Sequence, residues 1–230
     1  MPRSLSRNGA ERAAGAPAPA AIVAAELGEL YPDARTELDH RNAMELLVAT
    51  VLSAQTTDVR VNQVTPQLFS RWPDAAALAE AEEDAVTEVV RPLGMGATRA
   101  RRIIGLAQGL LERHGGEVPD DQAQLEALPG VGRKTAHVVR GTWFGHPLLA
   151  VDTHVGRLAR RLGWTARTEP RAVEEDVVAQ VAHSGAGTEA EGLTVLGLRL
   201  ILHGRRVCTA RAPRCGECVL LERCPQVGVS

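Results

Sequence analysis

A single lysine stands in this chain, Lys134, where every other positive side chain is an arginine. It closes the run Leu128-Pro129-Gly130-Val131-Gly132-Arg133-Lys134 and is followed by Thr135. An amine that loses its proton is a nucleophile, and attack at an aldehyde-level carbon gives a Schiff base. A guanidinium cannot do this because it stays protonated. The spacing puts Lys134 in the first turn of a helix, where the backbone N–H groups already create positive potential. A cation is locally unfavourable there, and partial burial would add to the fraction held as neutral amine. Eighteen residues on, Val151-Asp152-Thr153-His154 opens another helix. Asp152 is a natural N-cap, and a carboxylate at such a site can also take a proton or stabilise a developing sugar cation.

Gly130 and Gly132 can both take positive φ, and both lack a side chain, so backbone amides can approach a phosphate closely. The helix that begins beyond them adds its free N–H groups to the same anion site. Pro129 is expected to stop the preceding helix. Two short helices around such a turn suit a hairpin that grips a nucleic-acid backbone without reading sequence.

The only four cysteines are Cys208, Cys215, Cys218 and Cys224, a C-x6-C-x2-C-x5-C array within seventeen residues. Four thiolates from one short loop suit a tetrahedral metal ion or a cubane cluster. Disulfides are disfavoured, because Met1–Ala20 has arginines but no apolar core and so is not read as a secretory signal. Spacing alone leaves zinc and an iron–sulfur cluster both open.

The elements that must position these groups are helical. Apolar residues recur at three- and four-residue spacing, and alternating Val/Ile/Thr runs are absent. Helices are expected over Ala21–Leu30, Ala43–Ser53, Thr57–Arg71 and Thr98–His114, with short acidic helices in Ala75–Val90. Leu125–Trp143 reads as two pieces around the glycine turn, followed by Asp152–Leu162, Pro170–His183 and Glu191–His203. The class is all-α. Residues Met1 to Ala20 read as a flexible Ala/Pro/Gly-rich tail. The loop-rich end from Cys208 to Cys224 needs something other than apolar packing as its core.

Formal net charge is −2, which by itself does not suggest a nucleic-acid partner, but the charges are segregated. Val131–Arg161 carries six Lys and Arg residues against Asp152 alone, and Arg199–Cys224 carries six arginines against Glu217 and Glu222. A chain arranged this way can present a cationic face despite a near-neutral total. No stretch approaches the ~20 apolar residues of a membrane span, so a cytoplasmic location without membrane contact is expected.

Taken together, Leu52-Ser53-Ala54-Gln55-Thr56-Thr57-Asp58, the hairpin, Ala150–Val155, Leu200–Arg205 and the four-cysteine loop resemble the endonuclease III family of iron–sulfur DNA glycosylases. The resemblance runs from about Ala21 to Cys224. It implies a two-domain helix-hairpin-helix glycosylase fold with a DNA cleft between the domains. A six-helix barrel would span roughly 36–144, and a helical cluster domain would combine 21–35 with 145–230. It implies a [4Fe–4S] cluster on Cys208, Cys215, Cys218 and Cys224 in a structural role, with Lys134 as nucleophile and Asp152 as catalytic acid. Gln55 would fill the space left by a flipped base. Met95, Gly130, Gly132, Arg133, Thr135, His154 and Arg205 would contact DNA, and the carbonyls of Glu126, Leu128 and Val131 could hold a cation. The implied activity is base excision repair by a monomeric glycosylase and AP lyase. Its partner would be double-stranded DNA carrying damaged pyrimidines or abasic sites.

Two departures bear on lesion choice. The family often has leucine then tyrosine where this chain has Met95-Gly96, and asparagine where it has His137. Methionine can still wedge between bases, whereas Gly96 removes bulk beside it. The alternatives are an adenine- or thymine-mismatch glycosylase of the same superfamily and a non-catalytic iron–sulfur DNA-binding module. Adenine-mismatch enzymes usually lack the hairpin lysine and carry a glutamate near the position of Thr50. A binding module would not need Lys134 with Asp152.

Overall fold

The computed structural model describes residues 16–184 and 192–229. Among them the regular structure is helical, with no strand, as the periodicity requires. The helices are α1 (Ala20–Leu30), α2 (Ala43–Leu52), α3 (Asp58–Arg71), α4 (Ala75–Ala79), α5 (Glu83–Val90), α6 (Gly96–His114), α7 (Gln122–Glu126), α8 (Arg133–Thr142), α9 (Thr153–Arg161), α10 (Pro170–Ser184) and α11 (Gly192–Arg206). The chain forms two compact units. Of the described residues, one unit comprises 33–150 with 192–198, and the other 16–32, 151–184 and 199–229.

The first unit is organised around α2, whose residues from Met44 to Leu52 are all buried. A helix apolar on every side must be surrounded, and α3, α6 and α8 pack on it. Burying each such leucine stabilises by about 1.5–3 kcal/mol. Glu45 is the charged exception in this helix. Asn42 caps it through Glu45 N (2.8 Å), and the Glu45 carboxylate accepts Arg41 N at 2.7 Å and Arg41 Nη2 at 2.6 Å, so its buried oxygens are satisfied. The long helix α6 buries Ala100, Ile103, Ile104, Ala107 and Leu110 at helical spacing. It ends where Gly115 turns left-handed (φ 61°).

Residues 145–150 and 192–198, assigned from sequence to the cluster domain, group instead with this unit. Thr194 Oγ1 donates towards His146 O (2.8 Å) and Leu148 O (2.9 Å) and accepts Leu148 N (3.2 Å), while Gly197 lies against Leu149. These contacts join segments 46 to 48 residues apart, a separation that no local pattern reveals.

The second unit packs α1, α9 and α10 around Val23, Leu27, Leu158, Leu162, Val173 and Val177. Residues 1–15 of the expected tail lie outside the described residues. Residues 16–20 do not behave as tail. Ala18 is buried, its N–H donates to Leu162 O at 2.8 Å, and its carbonyl accepts Trp164 Nε1. A small residue in a poor helix segment still docks when a neighbouring carbonyl and an indole N–H supply both hydrogen bonds. No described helix is long and apolar enough to cross a membrane.

Candidate DNA-processing site and cluster segment

In the first unit the helix-turn-helix is α7, a turn at Ala127–Gly132, and α8. Helix α7 ends at Glu126 with Ala127 as its C-cap, and Pro129 follows two residues later, where a proline blocks further helix. The proline also packs on α6, where Gly105 and Gly109 leave a seat for Pro129 and Leu128. Val131 N donates to Leu128 O at 3.1 Å and closes the turn. Leu128 and Val131 are buried and Glu126 is exposed.

Gly130 takes φ 80° and lies against Val51 and Arg102, so it needs the left-handed freedom that glycine has. Gly132 differs from expectation. It is the N-cap of α8 with φ −110°, a value any residue adopts, but a Cβ there would face open space. The exposed end of α8 therefore presents uncovered backbone amides, with Arg133 exposed and Thr135 half-buried beside them.

Lys134 is the second residue of α8, in its first turn, as the spacing requires. Its side chain is exposed rather than partly buried. His137, one turn on, is buried, and its Nδ1 lies 3.1 Å from Leu149 O. This residue fastens the segment ahead of Asp152 and does not form part of an open surface.

Gln55 and Met95 lie in exposed loops of the same unit, and both adopt left-handed backbone, with φ 61° and 52°. Met95 is 55% exposed. Gly96 has a packing cause: a Cβ there would come within 3.2 Å of Thr87 Cγ2 and 3.3 Å of Thr87 O. The missing side chain lets the Met95 loop sit directly on α5.

The second unit carries Asp152, His154, Arg205 and the cysteines. Asp152 caps α9, its Oδ1 accepting the N–H groups of His154 and Val155, each at 2.8 Å. Both bonds fall on one oxygen. His154 is half-buried, and burial lowers its pKa below the ordinary imidazole value despite the nearby Asp152 carboxylate. Its Nδ1 lies 3.0 Å from Arg157 Nη2, which also donates to Gly204 O, while Arg157 Nε donates to Cys208 O at 3.1 Å. Gly204 is pressed against His154, leaving no room for a side chain. Arg205 is exposed on α11.

The four cysteines are free of disulfides and line one cavity, with Val207, Pro213, Leu221 and Val229 as its apolar wall. Among the described residues no three His, Cys, Asp or Glu side chains converge on one metal-ion position. The surrounding donors fit an anionic cluster. The buried Arg161 points Nη1 at Cys208 Sγ (3.1 Å) and donates to the carbonyls of Thr209 and Ala210. The buried His203 places Nε2 3.3 Å from Cys218 Sγ and Nδ1 3.3 Å from Tyr31 Oη. A buried guanidinium among carbonyls needs negative charge, and thiolate ligands supply it. Sequence reasoning missed Arg161, Arg157 and Tyr31. His203 was visible only as a histidine five residues before the first cysteine.

Comparison with known proteins places the chain in a family. Residues 48–182 match the family of HhH-GPD superfamily base excision DNA repair proteins, and residues 208–224 match the iron-sulfur binding domain of endonuclease III. The chain is 44% identical to endonuclease III of Synechocystis sp. over 89% of this chain and 90% of that one. It is 42% identical to endonuclease III of Escherichia coli over 88% and 92% of the two chains. Among solved structures it is similar to a trapped endonuclease III–DNA covalent intermediate, with TM-score 0.81, 38% identity, and 88% and 92% of the chains covered. A thermostable thymine-DNA glycosylase, 20% identical with TM-score 0.78 over 88% and 94%, shares the fold. The chain belongs to the endonuclease III family, the iron–sulfur DNA glycosylases and AP lyases of base excision repair.

Proposed function

We propose that this enzyme removes oxidised pyrimidines from duplex DNA and cuts the strand through a Schiff base on Lys134. The observation that carries the reading is the placement of the single lysine in the first turn of α8, two residues beyond the uncovered amides at Gly132. Those amides and Arg133 hold a phosphate by charge and N–H donation, which fixes the strand beside the amine without reading its sequence. Gln55 and Met95 enter the base stack, and the damaged nucleotide turns out. Unpairing costs a few kcal/mol, and less for a damaged base.

The neutral Lys134 amine forms a bond to C1′. The C1′–N bond to the base breaks with its electron pair on the base, which leaves after taking up a proton. Asp152 assists as the carboxylate that balances the sugar cation and handles that proton. Opening of the sugar ring gives the protonated Schiff base, which acidifies the C2′ proton. Loss of that proton, with the C3′–O bond breaking so that the 3′ strand leaves carrying a 5′ phosphate, is a β-elimination, and water then frees the lysine. His154, Thr135 and Arg205 contribute DNA contacts, and the Glu126, Leu128 and Val131 carbonyls offer a cation position in the turn.

Cys208, Cys215, Cys218 and Cys224 hold the [4Fe–4S] cluster, with Arg161 and His203 donating to its ligand sulfurs. When bound, the cluster supplies a rigid anionic core that orders the 205–223 loop. The enzyme acts as a monomer. The test is a labelled duplex with one oxidised pyrimidine. Release of the damaged base with strand cutting 3′ to the lesion is expected. Release of adenine from a mismatch with the oxidised pyrimidine untouched would contradict the reading.

A further inference from the structure

Left-handed backbone at a residue with a Cβ is strained and persists only where surrounding structure imposes it. Gln55 and Met95 share this conformation on loops forty residues apart. One side chain joins the two loops. Arg99, on the first turn of α6, is 3% exposed. Its Nη1 donates to Leu52 O at 2.6 Å and its Nη2 to Ala54 O at 2.9 Å. Its Nε donates to Gly94 O at 2.8 Å, and Nη2 also approaches Leu93 O at 3.4 Å. The carbonyl immediately before Gln55 and the carbonyl immediately before Met95 are therefore held by the same rigid group.

We propose that Arg99 is a positioning residue that holds Gln55 and Met95 as one preformed wedge for the base stack. This rests on the reading of those two residues as DNA contacts. The planar guanidinium has five donors in fixed directions, and four acceptors here lie at the end of α2 and in the turn before α6. An ammonium has three donors on one atom and cannot span them. Holding both tips before DNA arrives means that neither loop is ordered at the expense of binding, so the benefit falls on the step that extrudes the base.

The test measures base extrusion by stopped flow with a fluorescent base analogue beside a lesion, using the full-length cluster-loaded protein. Arg99→Lys should slow extrusion on the order of ten- to a hundredfold. In a Gln55→Ala, Met95→Ala background the same substitution should add less than about twofold, because its effect runs through those side chains. An equal factor in both backgrounds overturns the proposal and leaves the DNA-contact reading standing. If Gln55→Ala, Met95→Ala extrudes as fast as the unsubstituted protein, the contact reading falls and the proposal falls with it.

Should Arg99→Lys fail to fold, hydrogen exchange in the unsubstituted protein decides. The Thr56 amide, bonded to Ser53 O, and the Gly94 amide, bonded to Arg91 O, should exchange with matching protection as one unit. Protection differing by more than about tenfold overturns the proposal.

Discussion

Asp152 Oδ1 accepts the backbone N–H of Val155 at 2.8 Å, and the same oxygen also accepts His154 N. One carboxylate oxygen thus completes the start of α9, which leaves the proposed proton-handling role to the other. The two roles separate by substitution. An asparagine side chain keeps a capping oxygen, so Asp152→Asn should change stability little. Asp152→Ala should cost about 0.5–2 kcal/mol. Both should lose most of the base-release rate. Thermal unfolding beside single-turnover excision checks this, and an Asp152→Asn enzyme with full excision would show that the residue is only a cap.

The two hairpin glycines should respond differently. Gly130→Ala places a Cβ on φ 80° backbone close to Val51 and should cost roughly 1–2 kcal/mol in unfolding. Gly132→Ala has ordinary φ and open space, so its stability should hold. Its affinity for damaged and undamaged duplex should fall together, because a phosphate contact carries no sequence information. Chemical denaturation and fluorescence anisotropy measure the pair. Equal destabilisation by both alanines would contradict the backbone assignment.

Much of the fold was legible from local pattern. Helix ends fell where Pro, Gly or an N-cap residue demanded them: α4 follows the cap Asp74, α9 follows the cap Asp152, and α6 stops before Gly115. Four matters were not legible, and each depends on distant chain. The left-handed Gln55 and Met95 are held by Arg99, which in sequence looks no different from Arg101 or Arg102. Thr194 recruits 192–198 to the first unit by bonding to His146 and Leu148. Ala18 docks because Leu162 and Trp164 happen to offer both partners. Lys134 was placed correctly along the helix but not in depth, since the helical position of a residue does not say whether anything covers it.

Charge pairing at the start of α10 sets a pH dependence. The Arg167 guanidinium and the Thr165 hydroxyl both donate to Asp176, which holds its carboxyl down at about 2. An unfolded-chain aspartate titrates near ~3.9. The folded value is depressed, so the stabilisation is fully present above that unfolded value and is lost as pH falls through about 2. Asp176→Asn should therefore lower the melting temperature at pH 7, and the gap should narrow below about pH 4. A gap that is constant between pH 7 and pH 3 would show that the pairing is not electrostatic.

Covalent bonding of Lys134 to the sugar is the step on which the proposed chemistry depends. The most direct measurement is borohydride trapping on a duplex containing an oxidised pyrimidine, followed by peptide mapping of the protein–DNA adduct. The unsubstituted protein should give an adduct that maps to Lys134, and Lys134→Ala should give none while still binding the duplex. An adduct of undiminished yield in Lys134→Ala, or no adduct from an unsubstituted protein that releases the base, would contradict it.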